Sequence, residues 1–231
     1  QKAEVTLAGS ANRANGEGTA ALEVSRLDRT SDALRFSAEF SNETEVLTLA
    51  LNLSERENGV ATALLGLPGR PSLDLSVKGS GPLADFAADI VLATDDQERL
   101  RGKVTLEGAV QDQQSADTAP LRFSADIGGD IAPLFLPGYR DFFGRSIRLT
   151  VSGERSPDGA LDLETFQLTT AALFLGGKLE MGADGWPQRF DLKGKIANAD
   201  ASPVLLPIGG PATTLGSADL ALKYDRAEGD G

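Results

Sequence analysis

Residues 120–153 read PLRFSADIGGDIAPLFLPGYRDFFGRSIRLTVSG, and this stretch decides how the chain is read because parts of it recur on both sides. Leu121-Arg122-Phe123-Ser124-Ala125-Asp126 echoes Leu34-Arg35-Phe36-Ser37-Ala38-Glu39. Asp130-x-x-Pro133-Leu134-x-Leu136-Pro137 returns as Asp200-x-x-Pro203-Val204-x-Leu206-Pro207. Leu-Pro stands at 67, 136 and 206, and each time a strand-like run follows: Leu73 to Val77, Ile147 to Val151, Leu220 to Tyr224. Recurrence at such a period is the mark of a repeat architecture. The reading is therefore one continuous β-repeat segment over 1–231, with approximate repeats at 34–119, 120–198 and, in part, 199–231.

Alternation of apolar and polar residues, the period of a half-buried strand, runs from end to end. Leu22 and Val24, Leu34 to Phe40, and Leu47 to Leu53 are early instances. Leu73, Leu75 and Val77, then Phe86 to Leu92, then Leu100 to Leu106 form the clearest block, joined at the acidic turn Asp95-Asp96. Asn15-Gly16 predicts a turn, and Asn58-Gly59 predicts a hairpin into a strand carrying Ala61, Ala63 and Leu65. Residues 111–118, QDQQSADT, read as a polar loop. The apolar phase slips by one between Leu163 and Phe166, which predicts a β-bulge near Glu164-Thr165. Gly176-Gly177 reads as a bend, and Trp186 as the cover of a sheet rim. Altogether about fourteen strands and no long helix are expected.

One segment breaks the pattern. Asp130 to Phe143 predicts a short helical turn capped by Asp130, with Pro133 in its first turn and Pro137-Gly138 closing it. Its Leu and Phe content demands a cover, so it reads either as a plug over the edge of the core or as a lid over a lipid site.

Composition narrows the function. The net charge of −12 opposes binding to nucleic acid or flat docking on anionic headgroups. Cysteine and histidine are absent, which removes thiolate chemistry, the commonest metal ligand and the usual proton shuttle near neutral pH. Carboxylates occupy polar strand phases and turns, so no pair stands apart as general acid and base. Asp95, Asp96 and Glu98 lack the spacing of a calcium loop. The expectation is a non-enzyme with no cofactor and no metal. Gln1 and the abrupt end at Gly231 read as a piece excised from a longer chain.

The runs GLPGRPSLDLSVKGSGPLADFAADIVLATDDQERLRGKVTLEG (66–108) and GDIAPLFLPGYRDFFGRSIRLTVSGERSPDGALDLETFQLTTAALFLGGKLEMGADGWPQRFDLKGKIANADASPVLLP (129–207) resemble the periplasmic region of alphaproteobacterial TamB proteins. These are the inner-membrane components of the translocation and assembly module, related to the AsmA-like proteins. The resemblance covers most of the chain from about residue 33 on; the family's membrane anchor and C-terminal domain are not visible.

That resemblance implies an all-β fold: an elongated, curled, antiparallel-type sheet (a β-taco) with an apolar groove and short Asp-x-x-Pro helical or loop inserts. It implies a periplasmic bridge that shields phospholipid acyl chains between inner and outer membrane, held to the inner membrane by a segment absent here. The implied partners are the outer-membrane barrel TamA and nascent outer-membrane proteins. Leu73, Leu75, Val77, Ile90, Leu92, Val104, Leu106, Phe123, Ile127, Leu149, Val151, Leu163, Leu192 and Ile196 match the family's groove-facing pattern, and no catalytic residue transfers. The alternative is a structural β-module with a closed sandwich core that chaperones outer-membrane strands by edge pairing.

Overall fold

The computed structural model describes residues 3–12, 16–29, 31–82, 84–108, 120–208 and 211–226. The chain divides into two compact units, residues 1–106 and 107–231. Both are all-β. Among the described residues, helical structure is limited to α1 (Val60–Leu64), α2 (Arg140–Phe143) and two 3-10 turns, Ala132–Leu134 and Pro137–Tyr139. The expected loop at 111–118 lies outside the described residues, as does Asn15 of the first turn.

The first unit holds β1 (Ala3–Asn12), β2 (Glu17–Arg26), β3 (Ala33–Ser41), β4 (Val46–Glu55), β5 (Leu73–Pro82), β6 (Phe86–Thr94) and β7 (Gln97–Gly108). Each pairs antiparallel with its chain neighbours, so the ladder is a plain meander. Because the turns keep like phases together, the register builds apolar rungs across the strands. Val24, Leu34, Leu53, Leu75, Leu92 and Leu100 make one; Leu22, Phe36, Leu51, Val77 and Ile90 the next; Ala20, Ala38, Leu49, Gly79, Ala88 and Val104 a third. Gly79 is required there: a Cβ would stand 2.5 Å from the Phe86 ring and 2.6 Å from the carbonyl of Ala87. The acidic turn behaves as expected, since Asp95 and Asp96 both adopt the positive φ of a tight hairpin.

The second unit holds β8 (Leu121–Gly129), β9 (Ile147–Arg155), β10 (Leu161–Thr169), β11 (Leu173–Met181), β12 (Pro187–Ala197), β13 (Val204–Leu205), β14 (Thr214–Leu215) and β15 (Ser217–Asp225). The ladder runs β8-β9-β10-β11-β12-β15, all antiparallel, while β13 and β14 pair only with each other. The predicted bulge is present: β10 slips register against both neighbours between Leu163 and Phe166. The slip keeps one face apolar. Ile127, Leu149, Leu168, Leu175, Gly194 and Leu220 form a rung, and Ala125, Val151, Phe166, Gly177, Leu192 and Leu222 form its neighbour.

Three local expectations are corrected. Asn58-Gly59 does not turn into a strand: residues 60–64 are helical, and β4 pairs directly with β5. The Glu55 carboxylate accepts the backbone N–H groups of Val60 and Ala61 at 3.1 and 2.8 Å, satisfying donors that a helix start leaves unpaired. Pro137-Gly138 does not close the central insert, which continues through α2 to Gly144. Gly176-Gly177 is no bend, since β11 runs unbroken through it.

Candidate functional site

The apolar face of each meander is the candidate site. Of the fourteen candidate positions, thirteen are half-buried: Leu75, Val77, Ile90, Leu92, Val104, Leu106, Phe123, Ile127, Leu149, Val151, Leu163, Leu192 and Ile196. Leu73 differs, at 2% exposure, because it lies at the end of β5 opposite Glu55, where the 56–72 insert folds. Each unit brings its own candidates onto shared rungs. The same rungs also contain Phe36, Leu49, Leu51 and Leu53 in the first unit, and Phe166, Leu168, Leu175 and Leu220 in the second. Their alternation was visible in sequence. A sandwich core would bury such residues fully, yet only eight apolar residues are buried among the described ones; four of the eight are alanines, and Ala33, Ala132, Ala172 and Val204 lie at strand ends or in inserts.

The opposite face is charged and paired across strands. Glu23 meets Arg35 at 2.9 Å, Arg122 meets Glu154 at 2.6 Å, Asp191 meets Lys223 at 2.9 Å, and Arg148 meets Asp126. The Arg148 guanidinium, by hydrogen bonding, holds the Asp126 carboxyl below its ordinary range. These pairs sort the two faces: one wet, one aliphatic.

Both apolar faces change character at the end where long inserts connect the strands. In the first unit the apolar phase ends in charge. Arg26 follows Leu22 and Val24, Asp32 precedes Leu34, and Glu55 follows Leu53, all in apolar phase. Asp32 is 2% exposed; its Oδ2 accepts from Arg26 Nη1 at 3.1 Å, and its Oδ1 from the Arg56 backbone N–H at 3.1 Å. Arg26 also grips Asp28, and that hydrogen bond lowers the Asp28 pKa. Thr62, fully buried, donates to the Gly59 carbonyl at 3.2 Å, and Thr94, also buried, is held by Arg99 Nε at 2.8 Å. Beside this charged end lies a mixed-charge depression of about 730 Å³ lined by Leu27, Asp28, Arg29, Arg56 and Glu57 among others. These charged residues were not singled out in sequence, although charge standing in the apolar phase is the signal that marks them.

In the second unit the corresponding end is oily. Phe142, Ala172 and Val204 are buried together, with Phe143, Leu173, Ile196 and Leu206 against them. Phe135 stacks on Phe143 at 3.7 Å between ring centroids. Thr170 Oγ1 donates to the Phe142 carbonyl at 2.9 Å, and Tyr139 Oη to the Ile208 carbonyl at 3.1 Å, so both Asp-x-x-Pro inserts are tied into one plug. Both copies of the motif make the same local contact: Asp130 Oδ1 accepts the Ala132 N–H, and Asp200 Oδ1 the Ser202 N–H. The central insert is thus a plug in this unit.

At the far, short-turn end of the second unit, Trp186, Pro187, Phe190, Tyr224 and Arg226 line an apolar depression of about 470 Å³. Trp186 is 69% exposed and stands beside Phe190 and Tyr224 at the strand ends. Among the described residues no group of three or more acidic side chains is arranged to hold a metal ion. Asp95 instead accepts the Ser72 N–H, and Glu98 pairs with Arg101. Among the described residues no helix is long and apolar enough to cross a membrane. No family model, no curated protein and no solved structure matches the chain.

Proposed function

We propose that the apolar faces of the two units shield phospholipid acyl chains in the periplasm, as part of a TamB-like bridge between inner and outer membranes that works beside the barrel TamA and carries out no catalysis. The observation that carries this reading is the run of aliphatic rungs, most of whose side chains are half-buried, with Leu222 of β15 exposed, and with no charged side chain interrupting them between the strand ends. A hydrocarbon chain gains about 0.8 kcal/mol per methylene removed from water and needs no directional partner. Leu, Val, Ile and Phe rungs suit it. The paired charges of the other face keep that side in water.

Photo-crosslinking with a phospholipid bearing a diazirine on its acyl chain tests this. Ile90→Asp and the milder Ile90→Ser are each expected to lower labelling of the first unit while the circular dichroism spectrum stays that of the parent. Undiminished labelling in both folded variants, or no labelling of the parent chain, would overturn it.

A second reading has an observation of its own. Among the described residues β1 pairs only with β2, and β15 only with β12, so each ladder ends in a strand with one unmatched backbone edge. Nascent outer-membrane strands would add there by backbone pairing. Crosslinks from β15 to unfolded barrel polypeptide, with none to lipid, would favour this reading over the first.

A further inference from the structure

We infer that the depression at the short-turn end of the second unit is a headgroup site for a zwitterionic phospholipid, with the phosphate on Arg226, the ammonium on Asp184 and the glycerol-ester region on Trp186 and Tyr224. This rests on the acyl-chain reading and adds a polarity to it: chains enter the second unit from this end.

The site is built by two elements. Residues 182–186 turn β11 into β12, closed by Gly182 N–H to the Trp186 carbonyl at 2.9 Å and by Gly185 at φ +78°, a conformation that side chains resist. Asp184 organises this turn. Its Oδ1 accepts the Trp186 backbone N–H at 3.1 Å, and its Oδ2 accepts from Arg226 Nη1 at 3.0 Å, which joins the turn to the end of β15. Phe190 and Tyr224 then stack, with centroids 5.4 Å apart, and head the rung next to Leu192 and Leu222. The depression is therefore continuous in register with the aliphatic rungs below it.

Three properties select the ligand. Its walls are aromatic and proline except for one guanidinium, and its volume lies in the range of small-ligand sites. Tyrosine and tryptophan suit a boundary that is apolar on one side and wet on the other. The charged rim is a cation and an anion 3.0 Å apart. A headgroup carrying phosphate and ammonium answers both: one ion pair is exchanged for two, with guanidinium on phosphate and carboxylate on ammonium. A purely anionic headgroup would satisfy Arg226 but meet Asp184 with like charge, in a chain of net charge −12. At the opposite end of this unit the buried Phe142, Ala172 and Val204 pack beneath the inserts.

The test uses the whole 231-residue chain and three fluorescent lipids with identical acyl chains: phosphatidylethanolamine, phosphatidylglycerol and diacylglycerol. Phosphatidylethanolamine is expected to bind about tenfold tighter than diacylglycerol and severalfold tighter than phosphatidylglycerol. Arg226→Gln and Asp184→Asn should each erase that preference while leaving diacylglycerol binding unchanged, and Trp186→Ala should weaken both phospholipids by roughly three- to tenfold. If all three lipids bind equally and the variants change nothing, the headgroup site is refuted and the acyl-chain reading stands. If none binds, both readings fall. Preference for phosphatidylglycerol that survives Asp184→Asn would also overturn the assignment of Asp184.

Discussion

The two units solve one problem with opposite chemistry. Each has an aliphatic face that must end somewhere, and each ends it beneath long inserts. In the first unit the terminating residues are Arg26, Asp32 and Glu55, paired to one another's loops and to backbone N–H groups. In the second they are Phe142, Ala172 and Val204, which exclude water by packing. A buried ion pair contributes little net stability but is costly to break on one side, whereas an aromatic plug stabilises in proportion to the area it buries. The contrast teaches that closing such a face needs a satisfied stopper, and that polar or oily stoppers serve if every group is matched.

The largest effect is expected from the oily stopper. Phe142→Ala removes a ring that is 7% exposed and should destabilise the second unit by about 3–5 kcal/mol. Hydrogen exchange on β9 to β12 reads it, and the loss should be the same at low and high salt. Asp32→Ala comes next. It strands the Arg56 N–H and one side of Arg26, for a loss of about 2 kcal/mol in the first unit. Because this pair is buried, added sodium chloride should change the difference between parent and variant only slightly. A Phe142→Ala loss that varied with salt would show that the oily stopper is not closed by packing alone.

Most of the fold was legible because strand period survives in a chain of alternating phases. The bulge between Leu163 and Phe166 was readable from a single slip, and the Asp95-Asp96 turn from two residues that tolerate positive φ. The helix at Val60–Leu64 was not. Ala61, Ala63 and Leu65 alternate like a strand, and what makes them helical is Glu55, which reaches the helix start from the end of a neighbouring strand. An acceptor five and six residues upstream lies outside the usual N-cap spacing, so the alternation hid it. The groove candidates were legible by phase, but their partners were not, since phase says which face a residue occupies and register says which residue it meets. The depression beside Trp186 was hidden for a related reason: its Tyr224 and Arg226 wall comes from β15 and the residue after it, far along the chain.

Glu55→Ala sharpens the comparison at smaller scale. Two N–H groups at the start of α1 lose their acceptor, and the insert over Leu73 should loosen by about 1 kcal/mol, the usual worth of a helix cap. Faster exchange confined to residues 60–67 and to the end of β5 is the expected result. Unchanged exchange there would mean that α1 is held by packing alone.

The smallest effect is in the pH dependence, and it tests whether the paired outer faces contribute at all. Asp126 is held below its ordinary pKa by hydrogen bonding from Arg148, Asp184 by the Trp186 N–H and Arg226, and Asp200 by Ser202. A carboxyl whose pKa is lower folded than unfolded adds stability above its unfolded pKa, about 3.9, and that stability is lost as pH falls through the folded value. The net charge of −12 acts the other way at first, since protonation relieves repulsion until the isoelectric point near 4.5 is reached. Below that point positive charge accumulates and both effects destabilise. Urea midpoints should therefore stay nearly level from about pH 7 to pH 5 and fall below about pH 4. The Asp126→Asn variant should show a shallower fall in the second unit, because its side chain has no proton to take up. An Asp126→Asn midpoint that falls as steeply as the parent's would show that this cross-strand pair adds nothing to stability.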